Sequence, residues 1–357
     1  MRKLLSLFIL LTACSCYAQQ EQVSFIVVGD MMQHQLQFEV ARTKDDTYDY
    51  SPCFQYVKDE ISRHDVAIAN FETTLGGKPY TGYPGFSSPD SYAAAIRDAG
   101  FDLLLTATNH SVDKRTKGLR HTIAVLDSLG LGHLGTYPDS AARRRDYPYL
   151  LEVKGFRIAL LNYTYGTNGI KVPSPGVVNS LDTALMAIDI ERAKQMEVDA
   201  IIVFPHWGLE RHLLPSPQQR SLADWFLRKG VTHVIGSHPH VVQPIEVRTD
   251  AEGQRHLVAY SLGNYISNMT NVDSTGGLML RFTLARDERG HCILLDADYS
   301  LVWVDRPPLS GKREFVVIPT SYPDSLLNNL QCTRRKSFYD NARNVLQKHN
   351  INITEKE

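Results

Sequence analysis

The stretch VTHVIGSHPHVVQPIE, residues 231–246, decides how this chain must fold. Its apolar run Val231–Ile235 is typical of a short buried strand, and the glycine after it lets the backbone leave that strand sharply. Pro239 fixes its own φ and biases its neighbours toward an extended course. His238 and His240 therefore stand two residues apart at a strand end, where a twisted loop would bring both imidazoles to one point.

Two interpretations are open for such a His-x-His pair. Neutral imidazole is a common metal ligand, so the pair could supply two ligands of one site. An isolated pair is more often two solvated loop histidines. The choice depends on whether other strands of the chain end in residues of the same kind.

The first residues have the pattern of a signal peptide. Two basic residues precede an apolar run, Leu4–Leu11, which is too short to span a bilayer as a helix. The next residues are compatible with two processing sites: Leu-Thr-Ala-Cys ending at Cys14 has the form of a lipobox, and Cys-Tyr-Ala before Gln19 suits an ordinary signal peptidase. We assign residues 1–18 to the signal peptide and expect an exported protein, periplasmic or lipid-anchored in the bacterial cell envelope.

Composition limits the class of protein. With 357 residues, 43% of them hydrophobic and 22% charged, the chain can bury a large core as one α/β domain or as a domain with a small appendage. A formal net charge of -1 offers no electrostatic reason to expect nucleic acid as a partner. Beyond the leader, Cys53, Cys292 and Cys332 are scattered without zinc-site spacing, so at most one disulfide is possible.

A repeating strand and helix pattern predicts an α/β fold. The predicted strands are residues 24–28, 65–69, 103–106, 156–161, 200–204 and 231–235, and the predicted helices are residues 54–63, 90–99, 117–129, 183–198 and 218–229. Later strands at residues 278–285 and 292–304 have no helix between them, which suggests the second half of a layered sandwich. A polar helix is predicted at residues 335–349.

Polar residues of ligand type come after the predicted strands, and in open α/β sheets ligands bind beyond the carboxyl ends of strands. Carboxylate, imidazole and amide groups are the donor set of a hydrolytic divalent-metal centre, in which a bridging carboxylate would lower the pKa of a shared water. Each residue alone has an ordinary alternative, such as a helix cap or a turn. A purely structural role would not require residues of this kind at five separate strand ends. The candidate ligands are Asp30, Glu72, Asn109, His206, His238 and His240.

Seven motifs, in this order, resemble those of the CapA family, the poly-γ-glutamate capsule biosynthesis proteins. The resemblance covers residues 23–304 and implies a calcineurin-like metallophosphatase fold, a four-layer α/β/β/α sandwich, on an exported protein concerned with an anionic envelope polymer. We assign residues 23–310 to this domain and residues 311–357 to a C-terminal extension with the polar helix. The motifs are GDMMQH (29–34), NFETTL (70–75), TATNHSVDKRTKGL (106–119), NYTYGTNG (162–169), PHWGLE (205–210), GSHPHVVQPIE (236–246) and YSLGNYI (260–266).

The family's motif residues fall on the candidate ligands and on His110, the neighbour of Asn109. The chain departs from the wider metallophosphatase pattern at two points. Met32 stands where those enzymes usually carry the histidine of Asp-x-His, with His34 two residues further on, and Glu72 replaces a shorter bridging aspartate. These departures put one of the two expected metal sites in doubt.

The first functional hypothesis is a metal-dependent hydrolase or transferase that acts on a γ-linked amide or a phosphoester of the polymer. Its cofactor is one or more divalent metal ions, with Mn, Fe and Zn all compatible with the donor set. His110 is predicted to act as general acid or electrophile beside the leaving group. Asn109 and His206 are the other predicted catalytic residues, and the predicted substrate-binding residues are Tyr165, Asn168, Arg211 and Asn264.

The second hypothesis is a non-catalytic envelope module that binds an anionic polymer for partner membrane proteins. Arg211, His212 and the Lys114-Arg115 pair would then bind carboxylates. A metal centre is the preferred interpretation, because a binding module does not need so many ligand-type residues at strand ends.

Overall fold

A computed structural model describes residues 21–356 of the chain. The predicted leader with Cys14 and Gln19 lies outside these residues. The strands of the described part are β1 (Gln22–Met31), β2 (Val66–Phe71), β3 (Leu103–Leu105), β4 (Gly132–Leu134), β5 (Thr136–Tyr137), β6 (Tyr149–Val153), β7 (Phe156–Thr164), β8 (Val177–Val178), β9 (Ala200–His206), β10 (His233–Ile235), β11 (Ile245–Thr249), β12 (Arg255–Ala259), β13 (Asn264–Ile266), β14 (Gly276–Arg286), β15 (Cys292–Asp305), β16 (Val316–Pro319) and β17 (Thr354–Glu355).

The helices lie mostly between the strands of the first two thirds of the chain. They are α1 (Gln35–Ala41), α2 (Lys58–Ile61), α3 (Asp90–Asp98), α4 (Arg115–Leu129), α5 (Ser140–Asp146), α6 (Thr183–Gln195), α7 (Pro217–Arg228), α8 (Pro307–Ser310) and α9 (Asn329–His349). Within residues 21–356, none of these helices combines the length and the apolar character needed to cross a membrane.

Two large sheets form the centre of the molecule. One has nine strands, in the order β16-β15-β14-β1-β2-β3-β4, with β13 paired to β1 and β17 paired to β15. The other has six strands, in the order β11-β12-β10-β9-β7-β6. In the first sheet β1, β2, β3 and β4 run parallel, and in the second β7, β9, β10 and β12 do. Parallel strands present their carboxyl ends at one edge, so each sheet offers one edge to a site.

Both faces of the nine-stranded sheet are buried, which explains the continuous apolar run of β1. Phe25 and Val27 point into the core that the two sheets share, whereas Ile26 and Val28 belong to a second core beneath the helices α1 to α4. Helices α6 and α7 cover the outer face of the six-stranded sheet with buried side chains such as Phe226. The molecule is therefore a four-layer α/β/β/α sandwich, as the family resemblance implied.

The structure differs from the sequence-based elements in two places. Residues 54–63 were expected to form one helix, but the helix among them is only the single-turn α2. A 3-10 turn, Ser51–Phe54, ends at the first of these residues, and Val57, with φ -119°, directly precedes α2. Phe54, Val57 and Ile61 still pack inward, so the apolar spacing was real although the continuous helix was not. Strands β14 and β15 do not form a separate half; they extend the sheet of β1.

Candidate metal centre

The structure brings the six candidate ligands together between the carboxyl-end edges of the two sheets. Asp30 lies near the end of β1, His206 ends β9, and the other four come after β2, β3 and β10 in short loops. These residues are at most 3% exposed. Two groups have ligand atoms within 4.8 Å of one another, Asp30 with Glu72 and His206, and Glu72 with His238 and His240. Glu72 belongs to both groups, as a bridging carboxylate would.

The carboxylate of Glu72 has no hydrogen-bond partner within the described part of the chain, although it is fully buried. Its Oε1 lies 3.7 Å from His206 Nε2 and 3.6 Å from His240 Nε2. These distances are too long for hydrogen bonds and suit ligands that share a cation. His238 Nδ1 is also buried without a partner. Buried charges are costly unless they are paired or coordinate a metal, so the residues fit a divalent cation.

Burial and neighbouring charges divide the histidines of the centre into two kinds. Burial, with a smaller contribution from nearby histidines, lowers the pKa of His206 well below its usual value and that of His238 to about 3. Both imidazoles are therefore neutral, the form that binds metals. Burial also lowers the pKa of His240, but Glu72 and Asp30 outweigh it and raise the value to about 10. Burial raises the pKa of Glu72 well above its usual range, and Asp30 adds to this effect.

The His-Pro-His loop has the twist that the sequence required. His238 has φ +100° and His240 has φ +58°, both in the left-handed region. The loop is held by Asp30, whose carboxylate accepts a hydrogen bond from the His238 backbone N–H at 3.3 Å and lies 3.0 Å from His240 Nδ1. Gly236 is required at the exit from β10, because a Cβ there would lie 2.3 Å from both Trp207 Nε1 and the Tyr260 carbonyl oxygen.

His110 lies beside the candidate ligands and is oriented by Asp113, a residue that the sequence analysis missed. His110 Nδ1 is 2.7 Å from Asp113 Oδ2, which also accepts the backbone N–H of Phe86 at 2.8 Å. The ring of Phe86 packs edge-on against His110 at 4.6 Å. Since the Asp113 carboxylate accepts a hydrogen bond from Nδ1–H, Nε2 is the ring nitrogen that can face a substrate. The Asn-His-x-x-Asp spacing was a usable sign, because a loop that turns helically brings residues three apart together.

Further supporting residues were also missed by sequence reasoning. The Asn70 amide donates to Asp30 Oδ1 at 2.9 Å, and Ser237 Oγ lies 3.1 Å from His206 Nδ1. These groups hold the candidate ligands in place, as partners of metal-binding side chains commonly do. They lie at strand ends, as the ligands do, but Asn and Ser are too common in loops to be singled out from one sequence.

The four predicted substrate-binding residues occupy different surroundings. Tyr165 is 48% exposed, and its ring centroid lies 4.6 Å from that of His238. Asn168 accepts a hydrogen bond from the Asn109 amide at 3.3 Å, and Arg211 is exposed. Asn264 is fully buried, with its Oδ1 at 3.1 Å from His240 Nδ1 and its amide donated to the Ser274 carbonyl. Its position suits a residue that orients His240.

Met32, which replaces the usual histidine of the wider metallophosphatase pattern, and the nearby His34 both have structural contacts. Met32 is buried, and its carbonyl accepts a hydrogen bond from Gln37. The backbone N–H of His34 donates to Gln37 Oε1 at 2.8 Å at the start of α1, and its Nδ1 accepts the Asn268 N–H at 3.3 Å. His34 therefore caps the start of α1. It belongs to neither group of potential ligands in the described residues.

The chain is similar to known proteins of bacterial capsule synthesis. The family model described as "Bacterial capsule synthesis protein PGA_cap" matches residues 24–269. The capsule biosynthesis protein CapA of Bacillus anthracis is 26% identical over 263 residues, which cover 70% of this chain and 61% of that protein. The PGA biosynthesis protein CapA of Bacillus subtilis (strain 168) is 26% identical over 275 residues, which cover 74% of this chain and 68% of that protein. The chain thus matches about two thirds of the length of these relatives.

A solved structure with a similar fold is that of a putative 5'-nucleotidase from Staphylococcus aureus. It aligns with a TM-score of 0.51 at 14% sequence identity and covers 89% of this chain and 58% of that one. At this identity the likeness concerns the fold alone. Together with the two central sheets, it assigns the described chain to the metallophosphatase-like α/β fold.

Proposed function

Because this chain belongs to the bacterial capsule synthesis protein family PGA_cap, we propose that it acts in the biosynthesis of a capsule or envelope polymer of the poly-γ-glutamate type, as a divalent-metal hydrolase or transferase. The observation that carries the enzymatic part is Glu72, a buried carboxylate without a hydrogen-bond partner in the described structure, shared by two groups of ligand-type residues. A module that only binds a polymer has no use for such a group.

The candidate ligands would hold one or two cations between the sheets, with Glu72 common to both positions. When bound, a divalent cation supplies Lewis-acid chemistry and makes a water more acidic. The chain's own residues account for the remaining steps. The protonated Nε2 of His110 donates to the leaving group while Asp113 holds the ring. Asn109 Oδ1 lies 2.9 Å from His206 Nε2, so both atoms are close enough to bind the same cation.

The setting is also part of the proposal. An exported protein would meet an anionic polymer in the cell envelope, either in the periplasm or from a lipid anchor at Cys14, together with membrane partner proteins. Exposed Arg211 and Arg115 are available to bind carboxylates of such a polymer. Mass spectrometry of native protein should find a chain that begins at a lipid-modified Cys14 or at Gln19, and an intact Met1 on cytoplasmic material would refute export.

The enzymatic proposal is tested by stripping the purified protein with a chelator and reloading it separately with Mn, Fe and Zn. We expect about one to two equivalents of metal per chain, and hydrolysis of chromogenic amide or phosphoester compounds that disappears on stripping and returns on reloading. Glu72→Gln should lower metal content and hydrolysis together, whereas Glu252→Gln, at an exposed turn, should behave as wild type.

Two results would contradict it. If the reloaded protein retains no metal, the metal centre does not exist. A protein that binds metal but hydrolyses nothing, and whose binding to anionic polymer falls when Arg211 is replaced, is the polymer-binding module instead.

A further inference from the structure

Lys114 directly precedes α4, and its side chain packs against two glycines. A Cβ at Gly76 would lie 2.4 Å from Lys114 Cγ, and a Cβ at Gly118 would lie 2.4 Å from Lys114 Cβ. A larger residue at either position would push the lysine aside. The aliphatic part of Lys114 therefore lies in a slot between two backbone segments, which restricts where its ammonium group can go.

The ammonium group of Lys114 has no acceptor within residues 21–356. No ion pair and no hydrogen bond involves it, although Lys114 is half-buried. Its Nζ lies 3.9 Å from the point that a Cβ at Gly85 would occupy, and no other described atom beyond the two adjoining residues lies within 4 Å of that point. The space over Gly85 beside this cation is therefore open to a ligand.

A second lysine has the same arrangement. Lys117 comes three positions after Lys114, so the two side chains lie on one face of the helix. It is exposed, and no ion pair or hydrogen bond involves its ammonium group in the described part of the chain. Its Nζ lies 3.9 Å from the point that a Cβ at Gly77 would occupy. Ser87 Oγ donates to the Gly77 carbonyl at 2.8 Å and so joins the two arms of the loop that carry Gly77 and Gly85. Both ammonium groups therefore lie over adjacent arms of one loop.

The same loop contacts His110. Asp113 Oδ2 lies 2.7 Å from His110 Nδ1 and accepts the Phe86 N–H at 2.8 Å, and the Phe86 ring packs against the His110 ring at 4.6 Å. Phe86 follows Gly85 in the chain, and Asp113 precedes Lys114. The ammonium group of Lys114 and the imidazole of His110 therefore contact consecutive residues of the loop. The two lysines lie on the His110 side of the candidate metal centre.

The charges of this surface favour an anion. The other lysine of the loop, Lys78, is paired with Asp46 at 2.9 Å, so that acid is already engaged. Lys114 and Lys117 repel each other until an anion lies between them. A carboxylate accepts charge-assisted hydrogen bonds from an ammonium group. A γ-linked glutamate chain carries one α-carboxylate on every residue, so one chain can supply a carboxylate to each lysine.

We propose that Lys114 and Lys117 form a polymer-binding surface that holds α-carboxylates of a γ-linked glutamate chain beside His110. The inference rests on the proposed function, whose polymer it takes as the ligand, and adds the residues that recognise the charge of that polymer. A chain without carboxylates would lose the contacts to both ammonium groups. The surface would therefore select anionic chains over neutral ones.

The test compares a γ-linked glutamate pentamer with the same pentamer in which every α-carboxylate is a carboxamide. Titration calorimetry measures the binding of each to the purified wild type, Lys114→Met, Lys117→Met, the double variant and Lys229→Met, with metal content and thermal unfolding recorded for every sample. Methionine fills the slot of the lysine stem and removes the charge. Lys229 is the matched control, because it is an exposed lysine without an ion pair in the described structure. It precedes β10, at the opposite end of that strand from His238.

We expect wild type and Lys229→Met to bind the carboxylate pentamer about 10-fold or more tightly than the carboxamide pentamer, and we expect this ratio to fall toward one in the double variant. Each single variant should lower the ratio by about threefold or more. Equal binding of the two pentamers by wild type would overturn the surface. So would an unchanged ratio in Lys114→Met that unfolds like wild type. If Lys114→Met is destabilised, the exposed Lys117→Met decides in its place.

Cleavage of the pentamer is measured separately from binding. A wild type that keeps the preference for carboxylates but cleaves nothing counts against the hydrolase and supports the surface. A wild type that cleaves the pentamer while the lysine variants keep its preference supports the hydrolase and refutes the surface.

Discussion

At the scale of single residues, His110 and His238 are both buried imidazoles but differ in surroundings. His238 Nδ1 has no hydrogen-bond partner in the described structure, whereas His110 Nδ1 is paired with Asp113. We expect His238→Ala to lose metal, because it removes a candidate ligand. We expect His110→Ala to keep its metal and to lower turnover by about 100- to 10,000-fold, the usual worth of a positioned acid. Metal analysis and steady-state kinetics on the same samples distinguish the metal ligand from the general acid. Equal loss of metal in both variants would refute this division of roles.

A second prediction concerns Asp113, which acts through His110. Asp113→Asn keeps the size of the side chain but removes the charge that holds the imidazole in one tautomer. We expect kcat to fall by about 10-fold or more with little change in metal content or KM. The pH profile of kcat should also shift, since the charge beside the imidazole is lost. A variant with the wild-type profile and rate would show that Asp113 only anchors the Phe86 backbone.

At the scale of elements, β1 passes so close to Gly263, the residue before β13, that position 29 of β1 must be glycine. A Cβ at Gly29 would lie 2.0 Å from the carbonyl oxygen of Gly263, which accepts the Asp30 N–H at 2.9 Å. We expect Gly29→Ala to lower the free energy of unfolding by about 1–3 kcal/mol, because the backbone has to move apart. Urea unfolding measures this. Gly166→Ala is the control, since nothing lies within 4 Å of its added Cβ, and similar losses in both would contradict the steric explanation.

At the scale of the whole molecule, the C-terminal residues pack into the same sheet and core as the residues before them. Strands β16 and β17 pair with β15, and Phe338 of α9 is fully buried in the core that the two sheets share. We expect Phe338→Ala to cost about 3–5 kcal/mol of unfolding free energy, whereas Leu330→Ala, at a half-exposed position of the same helix, should cost about 0.5 kcal/mol or less. Thermal unfolding compares them. Similar, small effects would mean that the helix is a separate appendage.

Local pattern predicted the central strands well, since β1, β2, β7 and β9 are buried on both faces and therefore read as continuous apolar runs. It failed for short edge elements such as β13 and β16, whose pairing partners lie far away in the chain. It also joined residues 54–63 into one helix, because apolar spacing does not show where the backbone breaks.

The sequence by itself determined the layered α/β class, the family resemblance and the residue types of the centre, because buried strands, strand-end motifs and donor atoms are local properties. Only the tertiary structure decided that Glu72 is shared by two ligand groups and that Asp30 holds the His-Pro-His loop. These relations join segments of different strands. Distances between such segments depend on how the two sheets pack, which no short stretch of sequence specifies.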